Sequence, residues 1–161
     1  MRGVPISQDT SLFVEPLLRP VKAPYRILAV DEDEDLRMLY ADVLVPMRYS
    51  VDAAADGASA WQALRCQRYD LMITDHDLPN CDGVELVRRA RVSGMGLPVV
   101  MTTGRLPPRE LSPNPLPEIA AILLKPFSAN VLLDTVRSIL GATNGARSSS
   151  TPLQPCRQCV T

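Results

Sequence analysis

The sequence lacks a long apolar run, an excess of either charge, and all but one histidine. Its longest apolar stretches, such as Ile119 to Leu124, are strand-sized, so no membrane-spanning helix is expected. Lys and Arg number 17 against 18 Asp and Glu, a formal net charge of −1. No global field therefore draws the chain toward nucleic acid or an anionic membrane, and neither is an expected partner. A helix-turn-helix segment and a basic patch are both missing, so no nucleic-acid-binding output domain is read. After Arg2 the N-terminus mixes Pro, Gln, Asp and Glu, unlike a signal peptide, and a cytoplasmic location is expected. A zinc site wants four ligands, and His76 lies in another motif. Cys156 and Cys159, a C-x-x-C near the end of the chain, therefore read as a tail feature. Cys66 and Cys81 are expected to be reduced thiols.

What is present is enough apolar residue, 46% of 161, for one domain with tails. Residues 1–24 carry Pro5, Pro16, Pro20 and Pro24 with no sustained period, and read as an extended arm. From Gly141 the composition turns to Gly, Ser, Thr and Pro, so 141–161 reads as a flexible tail. The folded unit is expected over 25–140.

Within it, strand and helix patterns alternate. Apolar runs at Arg26 to Val30, Leu71 to Thr74, Pro98 to Thr102 and Ala121 to Leu124, with a weaker one at Ser50 to Ala54, predict five strands. Between them, apolar residues at helical spacing predict helices over Leu36 to Leu44, Ala58 to Cys66 and Val84 to Val92. Pro46 is expected to end the first. A last helix is expected to be capped by Ser128 and stopped by Gly141. The alternation predicts a doubly wound, five-stranded parallel α/β sheet with helices on both faces. Chemistry in such a sheet gathers at the carboxyl ends of the strands.

Reactive groups do follow the strands. Asp31, Glu32 and Asp33 follow the first; Asp75 ends the third, Thr103 the fourth, and Lys125 follows the fifth. Clustered carboxylates repel one another unless a cation sits among them. A hard divalent ion with oxygen ligands, Mg²⁺ (or Mn²⁺), resolves that conflict. A carboxylate beside it can attack a phosphoryl group, while the hydroxyl and ammonium neutralise the phosphoryl oxygens. Each residue alone also has a plainer explanation. Asp33 to Asp35 suit a solvated helix start, and Asp82-Gly83 suits a turn, with Gly83 supplying backbone freedom. His76 should point away from Asp75 along a strand and is given no role.

Taken in order, Val30-Asp31-Glu32, Ile73-Thr74-Asp75 with His76-Asp77-Leu78-Pro79, Met101-Thr102-Thr103-Gly104 and Lys125-Pro126-Phe127 resemble the receiver domain of bacterial response regulators. The resemblance covers residues 25–140 and implies a flavodoxin-like fold. It further implies Asp75 as phosphoacceptor, Glu32 and Asp75 as direct metal ligands, Asp31 acting on the metal through water, and the Asp77 backbone carbonyl as a third protein ligand. Thr103 and Lys125 would contact the phosphoryl oxygens. A histidine kinase or phosphotransfer protein would supply the phosphoryl group, and a downstream protein target would read it.

Three departures accompany the resemblance. Glu32 stands where the family commonly has a second aspartate. Ile122 occupies the position of an aromatic switch residue that would work with Thr103. Arg105 to Pro117, with five prolines, covers the family's fourth helix and is expected to be irregular. Asp77 and Arg105, each two residues past a site residue, are expected to pair at the rim and modulate loss of the phosphoryl group. Two other classes share parts of this pattern. A haloacid-dehalogenase-type phosphatase would share Asp75-His76-Asp77, Thr103 and Lys125, but it places its nucleophile after the first strand and acids after the lysine. A docking module that no longer uses phosphorylation is the other.

Overall fold

The computed structural model describes residues 24–79, 81–105 and 118–142. The expected N-terminal arm, the proline-rich segment beyond Arg105, the pair Cys156 and Cys159, and nearly all of the tail lie outside the described residues. Five strands form one parallel sheet: β1 (Arg26–Val30), β2 (Ser50–Ala54), β3 (Leu71–Asp75), β4 (Val99–Thr103) and β5 (Ala121–Leu124). Their order is β2-β1-β3-β4-β5. Strand order reverses between β1 and β3, which opens a crevice at their carboxyl ends. β1 and β3 supply Asp31 and Asp75 to that crevice.

The described helices are α1 (Glu34–Leu44), α2 (Gly57–Cys66), α3 (Gly83–Val92) and α4 (Ala129–Ala142). The strand period of two divides the core between the two faces of the sheet. Leu28 and Val30 of β1, Met72 of β3, and Val99 and Met101 of β4 pack with Leu64 of α2 and Leu86, Val87 and Ala90 of α3. Ile27 and Ala29, Leu71 and Ile73, and Val100 take the opposite face. There they meet Tyr40 and Leu44 of α1 and Leu132, Val136 and Leu140 of α4. Each fully buried Leu, Ile or Val contributes roughly 1.5–3 kcal/mol. The two packed faces hold the central strands, and so the crevice, in place.

The caps follow local chemistry. Asp33 accepts from the amides of Asp35 and Leu36, Asp56 from Ser59, and Asp82 from Glu85. Ser128 accepts from the Val131 amide as expected. As expected, the first helix ends at Leu44, ahead of Pro46, which sits in a short 3₁₀ turn (Val45–Met47) where its missing N–H does no harm. The chain turns off at Arg48, in a left-handed conformation with φ 65°. Gly141 does not stop α4, which runs to Ala142. Cys66, expected to be reduced, is disulfide-bonded; it lies half-buried in the last turn of α2. Cys81 is free. No helix among the described residues is long and apolar enough to cross a membrane.

Candidate functional site

β1 delivers Asp31 to the crevice with its side chain fully buried. Three donors hold the carboxylate. Oδ1 accepts from the Asp33 amide at 3.0 Å, and Oδ2 accepts from the Tyr40 hydroxyl at 3.2 Å and the Lys125 ammonium at 2.9 Å. The loop itself is clasped from α1, because Arg37 donates to the carbonyls of both Asp31 (2.7 Å) and Glu32 (2.8 Å).

β3 delivers Asp75, only 7% exposed. Its Oδ2 accepts from the Lys125 ammonium at 2.7 Å, and its Oδ1 lies 3.4 Å from the Asp77 amide. Register sets Asp75 opposite Thr102 and sets Thr103 opposite Leu124. Lys125 follows directly, its amide donating to the Thr103 carbonyl at 2.8 Å, and the Lys125–Pro126 bond is cis. One ammonium thus bridges the carboxylates that end two adjacent strands. Behind Asp75, α3 begins at Gly83, whose amide donates to the His76 carbonyl. A Cβ at Gly83 would overlap the Asp75 carbonyl oxygen. Gly83 is required for this close approach, rather than for the turn freedom expected of it.

Burial pulls the Lys125 pKa down, but hydrogen bonds to Asp75 and Asp31 outweigh it and leave the ammonium above its ordinary value. Burial pushes the Tyr40 phenol well up; a hydrogen bond with Thr102 eases it, and the Asp31 carboxylate adds to the rise. The phenol therefore stays neutral and can donate to Asp31.

The remaining candidates are less gathered. Thr103 is buried, yet its hydroxyl donates to the Arg105 carbonyl at 2.6 Å and accepts from the Arg105 amide at 3.2 Å. Glu32 is exposed, and its carboxylate has no hydrogen-bond partner among the described residues. Asp77 bonds His76 Nδ1 at 3.0 Å, and among the described residues no ion pair joins it to Arg105. The adjacent imidazole takes the carboxylate instead, so the expected rim pair is not formed. Ile122 pairs with Met101 across β4 and β5 and packs, half-buried, against the α2–α3 face. Tyr40 was missed from sequence. A tyrosine on the apolar face of a helix reads as core, and only its hydroxyl, a polar group needing a buried partner, hints otherwise.

A metal can be tested against this donor set. Among the described residues no three Asp, Glu, His or Cys side chains gather into a cage. Mg²⁺ does not ask for one, because it keeps several waters and takes one or two carboxylates. Asp31 and Asp75 carry two negative charges against the single ammonium, which leaves the pair short of one positive charge. The Asp77 carbonyl accepts no hydrogen bond among the described residues. The donors are all oxygen, and they fit a hard divalent cation.

The model of the response regulator receiver domain matches residues 27–137. Response regulator RppA of Synechocystis is 37% identical over 116 residues, covering 71% of this chain and 50% of RppA. The chain spans about half the length, or less, of several curated relatives that it matches. Among solved structures, the chemotaxis response regulator CheY4 of Vibrio cholerae is similar, with TM-score 0.67 and 28% identity, over 72% of this chain and 98% of that one. So is the receiver domain of sensor histidine kinase PA1611 from Pseudomonas aeruginosa, with TM-score 0.64 and 27% identity, over 74% and 99%. That structure holds a magnesium ion coordinated in its active-site cleft.

Proposed function

This chain belongs to the response regulator receiver-domain family, and from that premise we propose that it accepts a phosphoryl group on Asp75 within a two-component relay. The observation that carries the assignment is the Lys125 bridge. A nucleophilic carboxylate at the end of β3 is held 2.7 Å from an ammonium that also binds the carboxylate following β1.

Asp75 is oriented by Lys125 on one oxygen and faces the Asp77 amide with the other, at the mouth of the crevice. In the transfer, a carboxylate oxygen of Asp75 forms a bond to phosphorus as the bond from phosphorus to the donor breaks. The donor keeps that electron pair, and an acyl phosphate results. Lys125, already charged and positioned, neutralises oxygen charge on the phosphoryl group at no cost in reorganisation. Thr103, one residue past the strand partner of Asp75, exchanges its bond to the Arg105 carbonyl for one to a phosphoryl oxygen. A magnesium ion, held by Asp75, the Asp77 carbonyl and Glu32, with Asp31 acting through water, would add further charge neutralisation there.

The chain acts on no external substrate and catalyses only its own phosphorylation and dephosphorylation. Its donor is a histidine kinase or phosphotransfer protein, its reader is a downstream protein, and its location is the cytoplasm. Ile122 gives no aromatic ring to report the state of Thr103, so the signal leaves by another route. The test is labelling by acetyl phosphate with Mg²⁺. A stable single phosphoryl group supports the proposal, rapid turnover favours a phosphatase, and no labelling favours a docking module.

A further inference from the structure

Asp31 Oδ2 has two donors, and they come from different elements. Lys125 reaches it from the end of β5, and Tyr40 reaches it from α1. Tyr40 is completely buried, nine residues along the chain from the carboxylate it meets. Its ring stacks on Phe127, with centroids 6.4 Å apart and planes 12° from parallel. Phe127 is the last residue of the Lys-Pro-Phe turn that carries Lys125. Tyr40 therefore meets Asp31, one partner of the ion pair, through its hydroxyl, and the turn that bears the other partner, Lys125, through its ring.

We infer that Tyr40 is a positioning residue, which fixes Asp31 against Lys125 through its hydroxyl and so sets where the ammonium stands beside Asp75. The geometry gives the reason. A carboxylate has about four acceptor positions. The Asp33 amide, Tyr40 and Lys125 fill three on Asp31 and leave one lone pair of Oδ1 open among the described residues. All three donors together oppose rotation of the carboxylate and keep the open lone pair in one direction. Without the hydroxyl, Oδ2 is held by Lys125 alone. The ammonium, shared between two carboxylates, can then drift toward Asp31 and away from the phosphoryl oxygens it must meet. Packing alone does not account for the residue, since a phenylalanine would stack on Phe127 equally well. The hydroxyl is the part that needs explaining, because it is buried and its partner is the Asp31 carboxylate.

This inference rests on the proposed role of Asp75 and Lys125, and the experiment separates the two. Tyr40→Phe and Tyr40→Leu are compared with wild type in three measurements. These are thermal stability, the side-chain carboxyl ¹³C resonance of Asp31 in metal-free protein, and the rate of labelling by acetyl phosphate at saturating Mg²⁺. A residue acting through a ligand of the site typically changes function by about 10–100-fold when removed. Tyr40→Phe is expected to shift the Asp31 resonance and to slow maximal labelling about tenfold, with the acetyl phosphate concentration for half-maximal rate unchanged. Tyr40→Leu, which also loses the ring, is expected to be less stable but no slower than Tyr40→Phe. Wild-type labelling and an unmoved Asp31 resonance in Tyr40→Phe would overturn the inference. Wild type that takes no label would instead sink the assignment of Asp75, and the Asp31 resonance would still decide where Tyr40 acts.

Discussion

Replacing Lys125 with methionine removes the cation that bridges two buried carboxylates while keeping most of the side chain's length. The structure sets the scale. Lys125 lies 2.9 Å from Asp31 and 2.7 Å from Asp75, and at an effective dielectric of about 20 each contact attracts by roughly 6 kcal/mol. Desolvation offsets much of that. Removing one partner of a buried pair costs about 3–5 kcal/mol, because the other is left uncompensated. Lys125 keeps 21% of its side chain exposed, which favours the lower end, about 3 kcal/mol. For a folded unit of this size that is a fall of roughly 10–15 °C in Tm. Urea and thermal unfolding in metal-free buffer at neutral pH measure it. Mg²⁺ should restore more stability to the variant than it adds to wild type, because the vacated charge is then supplied by the ion. The pH dependence has a definite sign. The Lys125 pKa is raised, so its contribution is complete below the ordinary value of 10.5 and is lost as pH rises through the higher, folded value. Wild type should therefore lose an increment of stability above that ordinary value, and Lys125→Met should not. Equal stability of the two proteins without metal would refute the bridging role.

Other expectations follow from the same geometry. Gly83→Ala forces a methyl onto the Asp75 carbonyl oxygen and should cost about 1–3 kcal/mol by overpacking, read from urea unfolding, while also slowing phosphorylation. Glu32→Gln should weaken Mg²⁺ binding measured by calorimetry yet leave Tm within about 1 °C, since the exposed carboxylate bonds nothing among the described residues. Equal Mg²⁺ affinity would remove Glu32 from the ligand set. Arg105→Ala and Asp77→Ala should change the rate of phosphate release additively, because the two side chains form no ion pair; coupling between them would contradict the structure.

The fold was largely legible because its strands are short apolar runs that stop at polar residues, and parallel strands buried on both faces must read that way. Asp31, Asp75 and Lys125 could be expected to converge because each terminates a strand of one sheet. What could not be read was the partner of each group. Lys125 follows β5, yet it bonds the ends of β1 and β3, and that depends on the reach of its side chain rather than on sequence spacing. Tyr40 shares the periodicity of a core residue, so its hydroxyl went unnoticed. Gly83 resembled an ordinary turn glycine because close approach of α3 to β3 leaves no trace in the local pattern. Glu32 and Asp31 resemble a direct and a water-mediated metal ligand, and their spacing gives no sign that Asp31 is buried while Glu32 is exposed. The opposite charges of Asp77 and Arg105 suggested a pair, and His76, one residue from Asp77, took the carboxylate first.

The most direct measurement is intact-protein mass spectrometry after incubation with acetyl phosphate and Mg²⁺, on wild type and Asp75→Asn. If Asp75 is the acceptor, wild type gains one phosphoryl group and the variant none, although its fold is intact. A variant that gains the same group at the same rate would contradict the assignment.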